Sequence, residues 1–135
     1  MLFRSPSFRD LWNEGAWDQL DACLAPGYVH HVGLWTVGIA EYKAMSLKVR
    51  GSMTDYRITT EDLVVAGDRV ATRWVGRGTH TKSYGSEPPT NKAIVIPGMQ
   101  FYRIVDGKIA EDWESIDNLS ILQQIGVIPE NAFGG

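Results

Sequence analysis

Apolar side chains recur at helical spacing over the first fifty residues, then switch to alternation that holds almost to the end of the chain. Phe8, Leu11 and Trp12 form one stripe ending near Gly15, a suitable C-cap. Trp17, Leu20, Cys23 and Leu24 form a second, ended by Pro26. The short apolar run Tyr28-Val29-His30-His31-Val32 leads through Trp35 and Gly38 to a third helix in which Ile39, Tyr42, Met45 and Val49 share a face. From Tyr56 the period is two. Helices first and sheet second predict an α+β domain rather than alternating βαβ units.

The best-marked strand runs from Val70 to Thr81. Alternate positions sort Val70, Thr72, Trp74, Gly76, Gly78 and His80 against Ala71, Arg73, Val75, Arg77 and Thr79, one face fit for burial and the other for water. Two glycines beside a titratable imidazole on the buried face point to a hollow interior containing chemistry; the alternative is a satisfied core histidine. Two hairpins are marked, by Gly67-Asp68 and by Asp106-Gly107, the latter a strong type I′ signal. Its two-residue turn would set Ile104 opposite Ile109, Tyr102 opposite Glu111 and Gln100 opposite Trp113 on one face, unless a bulge intervenes. Ser83 to Asn91 reads as a rim loop between the hairpins, and Leu119, Leu122 and Ile125 as one side of a last short helix closed by Gly126.

With 135 residues and 44% hydrophobic content, residues 1–135 fit one domain able to bury roughly two thirds of its unfolded surface. A net charge of -3 spread without long runs leaves no electrostatic footprint for nucleic acid or an anionic membrane. Hydrophobic small molecules, or further copies of the chain, are the expected partners. The single Cys23 cannot form an internal disulfide, and no Cys/His cluster has zinc-like spacing, so no metal is expected. The N-terminus lacks the apolar stretch of a signal peptide, which predicts a cytoplasmic protein. Five tryptophans and five tyrosines are enough to wall a pocket as well as a core.

Asp117 stands between the last strand and the last helix. It reads either as a helix N-cap accepting from the Ser120 amide, worth about 1 kcal/mol, or as a carboxylate at an aromatic-lined cavity, a usable general acid or base. His31 offers a second imidazole; it follows His30, and adjacent histidines point different ways, so at most one should face a cavity. Arg103 suits an ion pair with Glu111 or Asp112, or an anion clamp. Trp74 and Trp113 fall on faces assigned inward. Without a glycine-rich phosphate loop or nucleophile elbow, side chains must do the chemistry, as proton transfer or carbonyl polarisation.

Gly78-Thr79-His80, Pro89-Thr90, Tyr102-Arg103-Ile104-Val105-Asp106-Gly107-Lys108-Ile109-Ala110-Glu111-Asp112-Trp113 with Asp117, and Leu122-Gln123-Gln124-Ile125-Gly126 resemble the SnoaL-like polyketide cyclases, also called ester cyclases. Trp12-Asn13, Tyr28-Val29-His30-His31, Asp55 and Gly67-Asp68-Arg69-Val70 extend the match over nearly the whole chain. The resemblance implies the nuclear transport factor 2-like fold: three N-terminal helices packed on a strongly curved, mostly antiparallel sheet, forming a cone with an apolar pocket. It further implies ring closure by intramolecular aldol condensation without a cofactor, Asp117 matching the catalytic acid, and His80 and His31 matching positions that look toward the pocket. Tyr28, Trp74, Met99, Phe101, Arg103 and Trp113 are the candidate substrate contacts, Arg103 at a position whose side chain varies in the family, and the resemblance points to a homodimer or tetramer. Asn91 stands where glycine commonly follows Pro-Thr, and asparagine tolerates the same left-handed backbone. The scaffold also hosts isomerases, epoxide hydrolases, dehydratases and binding modules. A non-catalytic protein binding a hydrophobic small molecule is therefore the alternative, with Asp117 only a cap.

Overall fold

The computed structural model describes residues 11–132. Six strands form one curled, unclosed sheet: β1 (Leu24–Val32), β2 (Trp35–Val37), β3 (Arg57–Ala66), β4 (Arg69–Thr79), β5 (Ala93–Val105) and β6 (Lys108–Ile116), in spatial order β2-β1-β6-β5-β4-β3. Helix α1 (Ile39–Ser52) precedes β3, and the short helix α2 (Asn118–Gln124) follows β6. All neighbouring strands are antiparallel except β1 and β6.

The helix-first reading is corrected at its second element. Trp17–Ala22 is a 3-10 helix, and the chain is already extended at Leu24, carrying Pro26 inside β1 instead of stopping at it. Proline is tolerated there because the β1–β6 ladder is irregular between Leu24 and Val29, so no regular pairing needs its missing N–H. Of the first stripe, Phe8 lies outside the described residues. Leu11 is buried, and Gly15 takes the expected left-handed conformation. Asn13 pairs with the edge of β3 as a strand would, its Oδ1 accepting from Ile58 N at 2.8 Å and its Nδ2 donating to Ile58 O at 3.1 Å. Arg50 donates to the carbonyls of Trp12 and Asn13, 2.7 Å each, and so ties α1 to this segment.

The parity of β4 is as the alternation predicts: Val70, Thr72, Trp74 and His80 are buried, and Arg73 pairs with Asp62 in the open. The space beside its glycines is not empty, however. A Cβ at Gly76 would overlap the Tyr56 hydroxyl, and one at Gly78 would crowd Met53. The glycines admit side chains from the α1–β3 connection instead of leaving a hollow. Gly98 on β5 does the same for the Trp74 ring. Both hairpin turns form, with Asp106 and Gly107 each at positive φ, and Asn91 takes the left-handed backbone expected of it, φ 58°.

The β5–β6 register contains the bulge that simple alternation leaves open. Ile104 faces Ile109 as expected, but a shift next to Arg103 sets Arg103 opposite Glu111, Tyr102 opposite Asp112 and Phe101 opposite Trp113. One extra residue on β6 turns its remaining side chains over. Asp112 becomes wholly buried and Trp113 turns outward. In α2 the buried side is Ile121 with Ile125, whereas Leu119 is exposed.

Candidate functional site

Between α1, α2 and the concave face of the sheet lies a cavity of about 420 Å³, within the range of small-molecule sites. Aromatic and aliphatic side chains make most of its wall, Trp12, Tyr42, Trp74 and Ile96 among them, while His30, Gln100 and Glu114 are among its polar residues, with Ser46, Lys48 and Asn118. Trp12 donates from Nε1 to Tyr42 Oη at 2.7 Å and meets the Trp17, Tyr42 and Tyr56 rings edge-on, which fixes one end of the wall.

The polar side of the wall is built by β1, β5 and β6. His30 is 1% exposed and Asp112 fully buried. The Nδ1 of His30 is hydrogen-bonded to Asp112 Oδ1. Asp112 Oδ2 accepts from Tyr28 Oη at 2.5 Å and from Gln100 Nε2 at 3.1 Å, and Tyr102 Oη in turn donates to Gln100 Oε1 at 2.8 Å. A carboxylate this deep is tolerated only when its lone pairs are filled, and three donors fill them here. With Nδ1 occupied by Asp112, Nε2 of His30 is the atom available to the cavity; Glu114 Oε1 lies 3.8 Å from it.

Burial alone would pull the His30 imidazole down. The hydrogen bond to Asp112 and the charges of Asp112 and Glu114 outweigh it and hold the ring above the ordinary histidine value. Burial first, then neighbouring Tyr42 and Asp112, push the Tyr28 phenol far up, so that it remains a donor. Tyr42 is raised for the same leading reason.

The residues singled out from sequence divide between two faces. Tyr28 and Trp74 point inward. His80 is also buried, as expected, but lines a separate small cavity. His31 is turned to the other face of β1, where Nε2 bonds Glu111 Oε2 at 2.7 Å and the ring stacks on Trp113 at 5.2 Å between centroids. Adjacent histidines do point opposite ways, and it is His30 that faces inward. Met99, Phe101 and Trp113 lie on the convex face, 60%, 43% and 40% exposed, because β5 alternates the other way and β6 is turned over by its bulge. Arg103 pairs with Glu111 at 3.2 Å on that outer face. Asp117 is exposed and caps α2, accepting from Ser120 N at 3.0 Å. It does not line the cavity.

The sequence reading gave no site role to Gln100, Glu114 or Asp112, the last named only as a possible ion-pair partner of Arg103, and singled out His31 where the structure turns His30 inward. The inward parity of Gln100 was visible in β5, and the choice between His30 and His31 was open. Asp112 was hidden by the bulge. Among the described residues no group of three His, Cys, Asp or Glu side chains is arranged to hold a metal ion, and no helix is long and apolar enough to cross a membrane.

Residues 6–125 match the family described as SnoaL-like polyketide cyclase. No curated protein shows significant sequence similarity to the chain. Solved structures do. IdmH of Streptomyces antibioticus, a candidate polyketide cyclase, superposes with a TM-score of 0.79 at 28% identity, over 91% of this chain and 99% of that one. TsrD of Streptomyces laurentii gives 0.80 at 28% identity, over 91% and 92%. AclR of Streptomyces galilaeus, a candidate hydroxylase, gives 0.83 at 23% identity, over 90% and 77%, a likeness of fold alone.

Proposed function

Because the chain belongs to the SnoaL-like polyketide cyclase family, we propose that it is an enzyme whose His30–Asp112 pair moves a proton on a hydrophobic, carbonyl-bearing substrate held in the 420 Å³ cavity. The sheet and helices are those of the nuclear transport factor 2-like fold. The observation that carries the proposal is an imidazole presenting Nε2 to an apolar cavity while a buried carboxylate, itself held by Tyr28 and Gln100, occupies Nδ1. Asp117, which the resemblance matches to the catalytic acid, is exposed and caps α2, and the proton goes to His30 instead.

The chemistry follows from the geometry. A carbon flanked by two carbonyls is acidic enough to lose a proton to an imidazole. Nε2 takes it, and Asp112 stabilises the imidazolium that results. The enolate carbon then adds to a second carbonyl of the same chain, closing the ring, and Nε2–H returns the proton to the new alkoxide. The aromatic walls contribute by folding the chain so that the two carbons meet. Glu114, on the other side of Nε2, stabilises the same imidazolium charge.

We further read the convex face as an interface between copies of the chain. Met99, Phe101 and Trp113 place an exposed apolar patch on adjacent strands, and such patches commonly mark association surfaces. A reducing, cytoplasmic setting accords with the single free Cys23.

The test is turnover of a hydrophobic β-keto ester bearing a second ketone within reach of ring closure, for wild type and Asp112→Asn, with affinity followed by tryptophan fluorescence. Asparagine keeps the shape but cannot stabilise an imidazolium. A loss of roughly 10²-fold or more in kcat with binding retained is expected. Unchanged kcat would remove the His30–Asp112 pair from the mechanism, and no turnover by wild type would reduce the cavity to a binding site for hydrophobic molecules.

A further inference from the structure

A second, much smaller cavity of about 20 Å³ adjoins the main one and shares Val49, Tyr84, Ile96 and Ile121 with its wall. Its remaining surface is mostly Met53, Ile94 and Ile125, with His80 and Ser52, beside the shared Tyr84, as the polar residues on its wall. His80 is 2% exposed, and its Nε2 is buried without a hydrogen-bond partner. The other ring nitrogen is fully committed. Thr90 N, which can only donate, lies 3.3 Å from Nδ1, and Thr90 Oγ1 lies 3.1 Å from it while accepting from Lys92 N at 3.3 Å. Nδ1 is therefore an acceptor, and the proton of the neutral ring sits on Nε2.

A buried N–H left without an acceptor is destabilising, and the structure around His80 fixes the orientation that leaves it so. The backbone is pinned as well, His80 N donating to Lys92 O at 2.9 Å and His80 O accepting from Asn91 N at 2.8 Å. A water could enter so small a space, but a well-held buried water makes about three hydrogen bonds. Beyond His80, Ser52 and Tyr84 the wall is apolar, and the Ser52 hydroxyl already donates to Val49 O at 2.7 Å. A carbonyl oxygen at the end of a ligand needs only the one donor, its carbon body filling the apolar remainder.

We propose that this side pocket is a subsite for an uncharged carbonyl oxygen of the ligand in the main cavity, with His80 Nε2–H as its donor and a positioning, not a proton-transferring, role. This rests on the reading of the main cavity as a site for hydrophobic carbonyl compounds. The two imidazoles then have different roles. His30, backed by a carboxylate, exchanges protons, whereas His80, backed by a threonine amide and hydroxyl, only donates. The substrate class this implies has one carbonyl at the reacting carbons and another on a short arm, small enough for a pocket of a few heavy atoms.

The probes are 2-acetylnaphthalene and its near-isostere 2-isopropenylnaphthalene, which replaces the carbonyl oxygen by a methylene. Wild type is expected to bind the ketone about tenfold more tightly, the worth of one good hydrogen bond. His80→Leu should abolish that preference, and the infrared shift of the ¹³C-labelled carbonyl seen with wild type should vanish with it. If His80→Leu does not fold, ¹⁵N-histidine NMR of wild type answers instead: the ketone should shift the Nε2–H resonance of His80 and the alkene should not. Equal affinities, a preference that survives His80→Leu, or a shift confined to His30 would overturn the proposal. So would a bound structure with water on Nε2 and the ketone oxygen elsewhere. His30→Gln separates the two readings, because it should lose turnover of the β-keto ester while keeping the preference for the ketone.

Discussion

Asp112 and Asp117 are five residues apart, and their surroundings are opposite. Asp112 is buried under three donors behind an imidazole, whereas Asp117 is exposed and holds one amide of a short helix. Asparagine caps about as well as aspartate. Asp117→Asn should therefore leave both melting temperature and turnover within error of wild type, and a large loss of turnover at normal stability would return the acid/base role to Asp117. Tyr28→Phe removes one donor from the buried carboxylate, for a loss of about 1–3 kcal/mol in urea unfolding; a change near zero would mean that the other donors hold Asp112 without it. His30 also sets a pH signature. Its pKa is raised on folding from the ordinary 6.5. Its stabilisation is thus complete below that value and is lost as pH rises through the higher folded value. Melting curves from about pH 5 to about 8 should show wild type losing its advantage over His30→Gln toward the alkaline end. Turnover, which needs the neutral ring, should rise over the same interval.

At the scale of elements, the alternation in β4 and the two hairpin turns were legible because each follows from local rules: side chains alternate along a strand, and positive φ favours glycine and Asp-Gly turns. The inward placement of Trp74 and His80 came from that parity alone. The β6 bulge was not legible, since one inserted residue depends on how Arg103 and Glu111 meet across the hairpin, and it exchanged Trp113 for Asp112 on the inward face. Leu24 went unread as strand because its apolar spacing also suits a helix; pairing with Ile109 decides it. The glycines of the sheet are a separate matter of volume. Gly98→Ala would drive a methyl into the Trp74 ring, and Gly76→Ala one into Tyr56. Each is expected to cost about 1–3 kcal/mol in urea unfolding, as overpacking does. A neutral outcome would mean that those rings can swing away.

The whole molecule presents two apolar surfaces of different kinds. The concave one is roofed by α1 and α2 and encloses the cavity, while the convex one leaves Met99, Phe101 and Trp113 in the open. Light scattering at micromolar concentration is expected to give at least twice the 15.0 kDa chain mass. Met99→Glu with Phe101→Lys should reduce that to a monomer without changing the β-keto ester affinity of the cavity; a wild-type monomer would leave the convex face unexplained. Both surfaces depend on the same sheet and each has an imidazole on a carboxylate, His31 on Glu111 outside and His30 on Asp112 inside, but only the inner pair is buried beside the cavity. The most direct measurement is deuterium exchange at the acidic carbon of a hydrophobic β-keto ester that cannot cyclise, followed by NMR for wild type and His30→Gln at matched saturation. Exchange accelerated by wild type and slowed at least tenfold in His30→Gln is the expected result; equal exchange in the two proteins would contradict a proton-transferring role for His30.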